Sequence, residues 1–129
     1  MAGDAAPVLV ADGLTKSFIS GKQRSMALDG VSFAIAPGVI TGLIGPDGAG
    51  KTTLMRLAAG LLVPDAGAIR ALGLDATRES LAVQAALGYM PQRFGLYEDL
   101  TAQENLDLYA DLQGVPKDAR AERYAELMR

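Results

Sequence analysis

Residues 39–53 read VITGLIGPDGAGKTT, and this stretch decides the fold of the 129-residue chain. Its first seven residues form a nearly continuous apolar run, which predicts a β-strand buried on both faces of a sheet. Leu54 and Leu57 begin a helical repeat of apolar residues, so an amphipathic helix is predicted over residues 51 to about 62. The glycine-rich segment is therefore the loop that joins a buried strand to the start of a helix.

This loop matches the pattern G-x-x-x-x-G-K-[ST], which is typical of phosphate-binding loops. Glycines allow successive backbone N–H groups to point at an anion, and a helix N-terminus adds unpaired donors and partial positive charge. We expect Lys51 to reach the β- and γ-phosphates of a nucleotide, Thr52 to ligate Mg²⁺ and Thr53 to bind the α-phosphate. The predicted phosphate-binding residues are Gly45, Pro46, Asp47, Gly48, Ala49, Gly50, Lys51, Thr52 and Thr53.

The residues before the loop predict an antiparallel β-unit. Residues 7–19 combine β-forming residues with a glycine, which suggests a bent or bulged strand, and residues 20–25 are predicted to form a polar turn. Val31, Phe33 and Ile35 alternate with other residues at period two, which predicts a second strand with one buried face.

The residues after the first helix alternate between further predicted strands and helices. We expect a short strand at residues 68–73, a helix at 77–86, and a strand at 87–92 that ends or bulges near Pro91. Thr101 and Glu104 form a predicted capping box for a helix that runs to about Gln113, with Gly114 just beyond its C-terminus. Residues 118–129 predict a helix, and we expect that the given sequence ends within it.

Composition limits the possible functions. Half of the residues are hydrophobic and the formal net charge is −3, so the chain is globular and has no basic field that would attract nucleic acid. Cysteine and histidine are both absent, which excludes disulfides and thiolate or imidazole metal sites and is compatible with a reducing cytoplasm. No run of about 18 apolar residues occurs, so no membrane span is predicted, and the N-terminus does not read as a signal peptide.

Two longer segments carry a resemblance to a known family. GPDGAGKTTLMRLAAGLLVPDAGAIRALG (residues 45–73) and LGYMPQRFGLYEDLTAQENLDLYADLQGV (residues 87–115) resemble the nucleotide-binding domain of ATP-binding cassette (ABC) transporters. The second is most similar to the ATPases of bacterial drug-export systems. The resemblance implies an α/β fold, namely a P-loop NTPase core fragment with an N-terminal antiparallel β-subdomain (about residues 1–92) and the start of a helical subdomain (about residues 93–129).

The family places functional residues at two further positions. Phe18 aligns with an aromatic residue that stacks on adenine, although a core position in a β-strand would also explain it. Gln92 aligns with a glutamine that contacts Mg²⁺ and the attacking water and links them to the transporter, so the resemblance gives Lys51 and Gln92 catalytic roles. A polar residue closing a strand end would also explain Gln92, but the functional role is favoured.

The segment Arg93–Leu100 corresponds to the groove that receives a cytoplasmic helix of the membrane subunit. Its apolar residues Phe94, Leu96 and Tyr97 suit an exposed docking patch, and ordinary anchoring of the loop to the core is nearly as good an explanation.

The function that the resemblance implies is ATP binding and hydrolysis that drive export of a drug or another small molecule. Its implied partners are a separate multi-span membrane subunit and a second nucleotide-binding domain, at the cytoplasmic face of a bacterial inner membrane. The alternatives are a soluble ABC-type ATPase that acts on ribosomes or DNA, or another P-loop kinase or GTPase. The acidic composition opposes the first alternative, and the absence of an N-K-x-D sequence opposes a GTPase.

Three parts of the family's hydrolytic machinery do not occur in these 129 residues: an apolar strand that ends in Asp-Glu, an LSGGQ-type signature and a switch histidine. We therefore predict that the chain binds ATP but hydrolyses it only at a background rate. We also expect an unpaired sheet edge, because the missing strands belong to the central sheet.

Asp47 places a carboxylate where the family often has Asn or Ser. We favour a local role, in which the carboxylate accepts hydrogen bonds from nearby N–H groups and fixes the turn. The alternative is that Asp47 faces the opposite subunit of a closed dimer and tunes closure. In both cases the side chain should point away from the phosphates, because a carboxylate about 4 Å from them would cost on the order of several kcal/mol.

Overall fold

The computed structural model describes residues 5–93 and 95–129. They form two compact units, Met1–Tyr89 and Met90–Arg129. The first unit contains strands β1 (Leu9–Ser20), β2 (Gln23–Ile35), β3 (Ala66–Ala71) and β4 (Leu74–Asp75) and helices α1 (Lys51–Ala58) and α2 (Ser80–Ala86). The second unit contains α3 (Ala102–Leu112), a 3₁₀ turn (Lys117–Ala119) and α4 (Arg120–Leu127). The assignment of these units to two subdomains stays a prediction.

The four strands form one sheet with the order β2-β1-β3-β4, in which every neighbouring pair is antiparallel. The predicted bulge in β1 is confirmed, because its register shifts after Ala11 and Gly13 has a φ of 56°. The turn between β1 and β2 is shorter than predicted, since Ser20 already pairs with Gln23. An antiparallel β-unit therefore opens the chain, as the sequence pattern indicates.

The core of the first unit lies between the sheet and its two helices. Its fully buried large side chains come from β1, α1, β3 and α2, and they are Leu14, Leu57, Ile69 and Val83. The period-two pattern in β2 is confirmed, because Val31 and Phe33 are half-buried and pack against this core while the intervening Ser32 is exposed.

Helix α1 ends earlier than the predicted residue 62. Gly60 adopts a φ of 67°, its N–H donates to the Leu57 carbonyl, and the Leu61 N–H donates to the Arg56 carbonyl. This pair of hydrogen bonds is the Schellman arrangement, which closes a helix at a glycine in the left-handed region. The apolar repeat continues past Ala58, but the helical conformation of the backbone ends there.

The strands predicted at residues 39–45 and 87–92 are wrong for this structure. Neither segment has regular secondary structure, and Ile40, Ile44 and Met90 are almost fully exposed. A β-strand needs a hydrogen-bonded neighbour, and the sheet formed by the described residues has no strand next to either segment. Most of the apolar side chains of the two segments therefore stay exposed, because neither segment pairs with any of the four strands of the sheet.

The second unit follows its sequence signals closely. The predicted capping box is confirmed, because the Glu104 N–H donates to the Thr101 hydroxyl and the Thr101 N–H donates to the Glu104 carboxylate. Gly114 has a φ of 67° and, with the Val115 N–H, completes a second Schellman arrangement at the end of α3. The predicted final helix is confirmed over Arg120–Leu127.

No helix within residues 5–93 and 95–129 is both long enough and apolar enough to cross a membrane.

Candidate functional site

The predicted phosphate-binding loop is exposed on the first unit and leads directly into α1. Gly48 and Gly50 have φ values of 80° and 93°, which L-residues rarely adopt, and the Ala49 N–H closes a turn on the Pro46 carbonyl. A Cβ on Gly50 would also overlap the backbone carbonyl of Ala27 in β2. Gly50 is therefore required for its conformation and for the close approach of the loop to the sheet.

The N-terminus of α1 has no side-chain cap, unlike that of α3. The N-terminal donors of α3 are satisfied by the Thr101–Glu104 capping box, which adds a carboxylate to its first turn. Helix α1 begins at Lys51, the preceding Gly50 offers no side-chain cap, and the first turn holds no acidic residue. Its free N–H groups and the helix dipole are thus available for an anionic ligand.

The ammonium group of Lys51 lies inside the loop. Its Nζ donates to the carbonyl oxygens of Gly45 and Pro46 at 2.6 and 2.7 Å. These bonds hold the positive charge among the same residues whose backbone curls around the predicted phosphate position. A point charge on a flexible stem can move from these carbonyls to phosphate oxygens, which are stronger acceptors because they are charged.

Thr52 and Thr53 occupy the second and third positions of α1, and Thr52 is exposed. A hydroxyl in the first turn of a helix lies next to the anion that the helix binds, and hydroxyl oxygen is a ligand that suits Mg²⁺. Thr52 therefore fits the predicted metal ligand, and the ion would supply further positive charge to the phosphates. Among the described residues no cluster of three or more acidic side chains could hold a metal by itself.

The local role favoured for Asp47 finds no support. Its side chain is exposed, and no hydrogen bond within residues 5–93 and 95–129 involves its carboxylate. The turn is closed by the backbone bond between Ala49 and Pro46 without help from Asp47. The alternative, a role toward a second subunit, stays a hypothesis.

Phe18 lies near the end of β1, where it pairs with Ser25 of β2. Its side chain is 42% exposed, so it is not a core residue. The Lys16 Nζ lies 5.6 Å from the centre of the ring and covers one of its faces. The ring is accessible enough to stack on a base, and its role in nucleotide binding stays a prediction.

Gln92 and the predicted docking segment belong to the second unit. Gln92 is exposed in a bend, and Leu96 and Tyr97 expose 53% and 57% of their surface. Phe94, which we also assigned to the docking patch, lies outside the described residues. The apolar surface fits docking, but the roles of Gln92 and of Arg93–Leu100 are not tested by these positions.

Asn105 is a structural determinant of the docking segment that the sequence did not reveal. It is 5% exposed, its Oδ1 accepts the Tyr97 N–H, and its Nδ2 donates to the carbonyls of Tyr97, Leu100 and Thr101. The Tyr109 hydroxyl donates to the Gly95 carbonyl of the same segment. An amide directly after a capping box is the only sequence signal that could have indicated this contact.

Asp65 is a second residue that sequence reasoning missed. Its carboxylate accepts hydrogen bonds from the Ser17 hydroxyl, the Lys16 ammonium and the Ser17 N–H, and these bonds lower the pKa of Asp65 to about 2. The contact joins positions 48 and 49 residues apart, so no local pattern predicts it.

A curled glycine loop, an uncapped α1 and a lysine inside the loop are the features that the predicted phosphate-binding site requires. A family profile described as ABC transporter matches residues 28–129, which include the whole loop and most of both units. The chain belongs to the ABC transporter family. The predicted family is thereby confirmed.

Curated relatives agree with this membership. The chain is 50% identical over 121 residues to the probable multidrug ABC transporter ATP-binding protein YbhF of Escherichia coli, covering 94% of this chain and 21% of that protein. It is 37% identical over 120 residues to the doxorubicin resistance ATP-binding protein DrrA of Mycobacterium tuberculosis, covering 93% of this chain and 36% of that protein. The chain thus spans about a fifth to a third of the length of these relatives.

Solved structures confirm the fold class. The dimeric, ADP- and Pi-bound ATP-binding cassette MJ0796 matches with a TM-score of 0.78 at 24% identity, over 92% of this chain and 54% of that one. An ATP-binding subunit of an ABC transporter matches with a TM-score of 0.70 at 32% identity, over 86% of this chain and 45% of that one. The α/β arrangement of an ABC-type P-loop fragment is therefore correct, although two of its expected strands are not formed.

Proposed function

We propose that this chain is the nucleotide-binding part of an ABC transporter ATPase, which binds ATP with Mg²⁺ and powers export of a drug or another small molecule. The observation that carries the proposal is the Lys51 ammonium, held 2.6 and 2.7 Å from the Gly45 and Pro46 carbonyls at the uncapped start of α1. Backbone donors, a helix dipole and one mobile cation in one place are what a polyphosphate requires.

The names of the relatives support a transporter over the alternative of an ATPase that acts on ribosomes or DNA. YbhF is named as a multidrug transporter protein and DrrA as a doxorubicin resistance protein. The net charge of −3 also opposes binding to a phosphate backbone. Export of a small molecule, rather than an action on nucleic acid, is thus the better supported function.

Within this proposal each site residue has a role. The loop from Gly45 to Thr53 cradles the phosphates, Lys51 neutralises the β- and γ-phosphates, and Thr52 would hold Mg²⁺. The role of Gln92 beside Mg²⁺ stays a prediction from the family resemblance. Phe18 stacks on the adenine ring.

The proposed partners are a membrane subunit and a second nucleotide-binding domain, with the chain at the cytoplasmic face of the membrane. The exposed Leu96 and Tyr97 on a segment fixed by Asn105 form a defined apolar surface for the membrane subunit. The dimeric cassette with the same fold supports pairing of nucleotide-binding domains.

The phosphate role is tested by replacing one of two cations on the same helix. Lys51→Met removes the charge inside the loop, and Arg56→Met removes an exposed charge from the last turn of α1 as a matched control. We expect Lys51→Met to weaken binding of Mg·ATP at least about tenfold, as measured by calorimetry, because charge-assisted bonds to phosphate are lost. Equal affinities of the two variants would refute the proposed site.

The docking role is tested in the same way. Leu96→Ser should reduce co-purification with the membrane subunit and leave ATP binding unchanged. Leu127→Ser, at a similarly exposed leucine of α4, should change neither. If both variants retain the membrane subunit equally, Arg93–Leu100 is not the docking surface.

A further inference from the structure

The last residues of β1, which include Phe18, extend beyond the first residue of the neighbouring strand β3. The pairing between the two strands stops at Thr15 and Ala66, so the residues after Thr15 have a strand partner only on the β2 side. The backbone groups on the unpaired side of this strand end are satisfied by side chains or by water.

Asp65 supplies such partners to the backbone of Thr15 and Ser17 and also binds the side chain of Lys16 between them. Its N–H donates to the Thr15 carbonyl at 2.8 Å. Its Oδ2 accepts the N–H and the hydroxyl of Ser17, each at 2.7 Å, and its Oδ1 accepts the Lys16 ammonium at 3.0 Å. The side chain of Asp65 thus takes the place of a β3 partner at Ser17, the residue that immediately precedes Phe18.

The same carboxylate determines where the Lys16 ammonium lies. Lys16 is largely buried along its stem, with 16% of its side chain exposed, and its Nζ lies both against Asp65 and 5.6 Å from the Phe18 ring centre. One face of the ring is thereby backed by a fixed cation, which is the geometry of a cation–π contact. The other face is the one left for a ligand.

We propose that Asp65 is a positioning residue for base recognition: through Ser17 and Lys16 it holds the Phe18 ring so that its free face receives the purine of the bound nucleotide. This inference rests on the proposed function, because it requires that Phe18 stacks on the base. Asp65 itself touches neither the base nor the phosphates in this account. Its removal should therefore weaken recognition of the base and leave recognition of the phosphates unchanged.

The test compares ATP with inorganic tripolyphosphate, which lacks the base. Asp65→Asn should lower the affinity for ATP about three- to tenfold and leave the affinity for tripolyphosphate unchanged, because only the stacking contact is disturbed. Asp75→Asn is the matched control, since Asp75 also accepts backbone N–H bonds, from Thr77 and Arg78, and it lies outside the β1 contact. It should change neither affinity.

A double substitution separates positioning from a general structural effect. Phe18→Ala should lower the affinity for ATP by itself, and in that background Asp65→Asn should cause no further loss. Equal losses for ATP and tripolyphosphate in Asp65→Asn, unchanged ATP binding, or additive losses with Phe18→Ala would each overturn the inference while leaving the phosphate site intact.

Different results would refute the proposed function itself. If Phe18→Ala does not change the ratio of ATP to tripolyphosphate affinity, Phe18 does not stack on the base and this inference falls with it. If the unmodified protein binds neither compound, the phosphate site itself is wrong.

Discussion

The backbone carbonyl of Ala27 occupies the space into which a Cβ on Gly50 would project. This contact fixes the loop before α1 against strand β2, while the Gly50 φ of 93° turns the chain into the helix. The position of the phosphate-binding loop thus depends on a backbone approach that only glycine permits.

Gly50→Ala should therefore damage the site more than a glycine substitution elsewhere. We expect a conformational cost of about 1–2 kcal/mol for a left-handed alanine, together with displacement of the loop from Ala27 and a loss of ATP affinity of at least about tenfold. Calorimetric titration with Mg·ATP measures the loss. Gly38→Ala is the control, because Gly38 has a similar φ of 73° and open space around its Cα, so it should lower stability without changing ATP affinity. Equal ATP affinities for the two variants would show that the contact does not matter.

Asn105 should be required for the fold of the second unit. Asn105→Ala removes four hydrogen bonds in a buried position and should lower the free energy of unfolding by about 1–3 kcal/mol in urea denaturation. Asn105→Asp should be at least as damaging at neutral pH, because a carboxylate oxygen would face the carbonyls of Tyr97, Leu100 and Thr101. A milder effect of the aspartate would contradict this description of the contacts.

The Asp65 contact should contribute stability only above strongly acidic pH. Its pKa is lowered from 3.8 to about 2, chiefly by hydrogen bonds from Ser17 and Lys16, so the folded chain favours the charged carboxylate. The contribution is complete above the unfolded pKa and is lost as the pH falls toward 2. The difference in urea midpoint between the unmodified chain and Asp65→Asn should shrink over this interval. A difference that stays constant from neutral pH to about pH 2 would contradict the lowered pKa.

Asp47→Asn should leave stability unchanged, because no hydrogen bond among the described residues involves the Asp47 carboxylate. A shift of ATP-driven dimerisation without a change in thermal midpoint would support the role toward a second subunit. A lower thermal midpoint would restore the local role in fixing the turn.

Steady-state hydrolysis should stay at the background rate in the 129-residue chain. These residues include the proposed phosphate-binding loop but no Asp-Glu strand end and no histidine, so we expect the charge stabilisation and water positioning that hydrolysis needs to be incomplete. Phosphate release with ATP and Mg²⁺ measures the rate. Turnover that Lys51→Ala abolishes would contradict this prediction.

Local signals predicted the structure well, and signals that depend on distant residues did not. The capping box at Thr101 and the glycine at position 114 act within one helix turn, so the sequence shows them directly. The strand at residues 39–45 depends on a neighbouring strand that composition cannot supply. The loop from Gly45 to Thr53 can be proposed from the sequence because its pattern lies in consecutive residues. The Asp65 contact cannot, because its partners lie in β1, far away in sequence.

We expect a nucleotide to bind at the loop before α1. Backbone amide NMR of the 129-residue chain, recorded during titration with ATP and Mg²⁺, tests it most directly. We expect the largest shifts at Gly45–Thr53, smaller shifts near Phe18, and no such shifts in a Lys51→Met variant at the same ATP concentration. The largest shifts in α3 or α4, or shifts at the loop that persist unchanged in Lys51→Met, would contradict it.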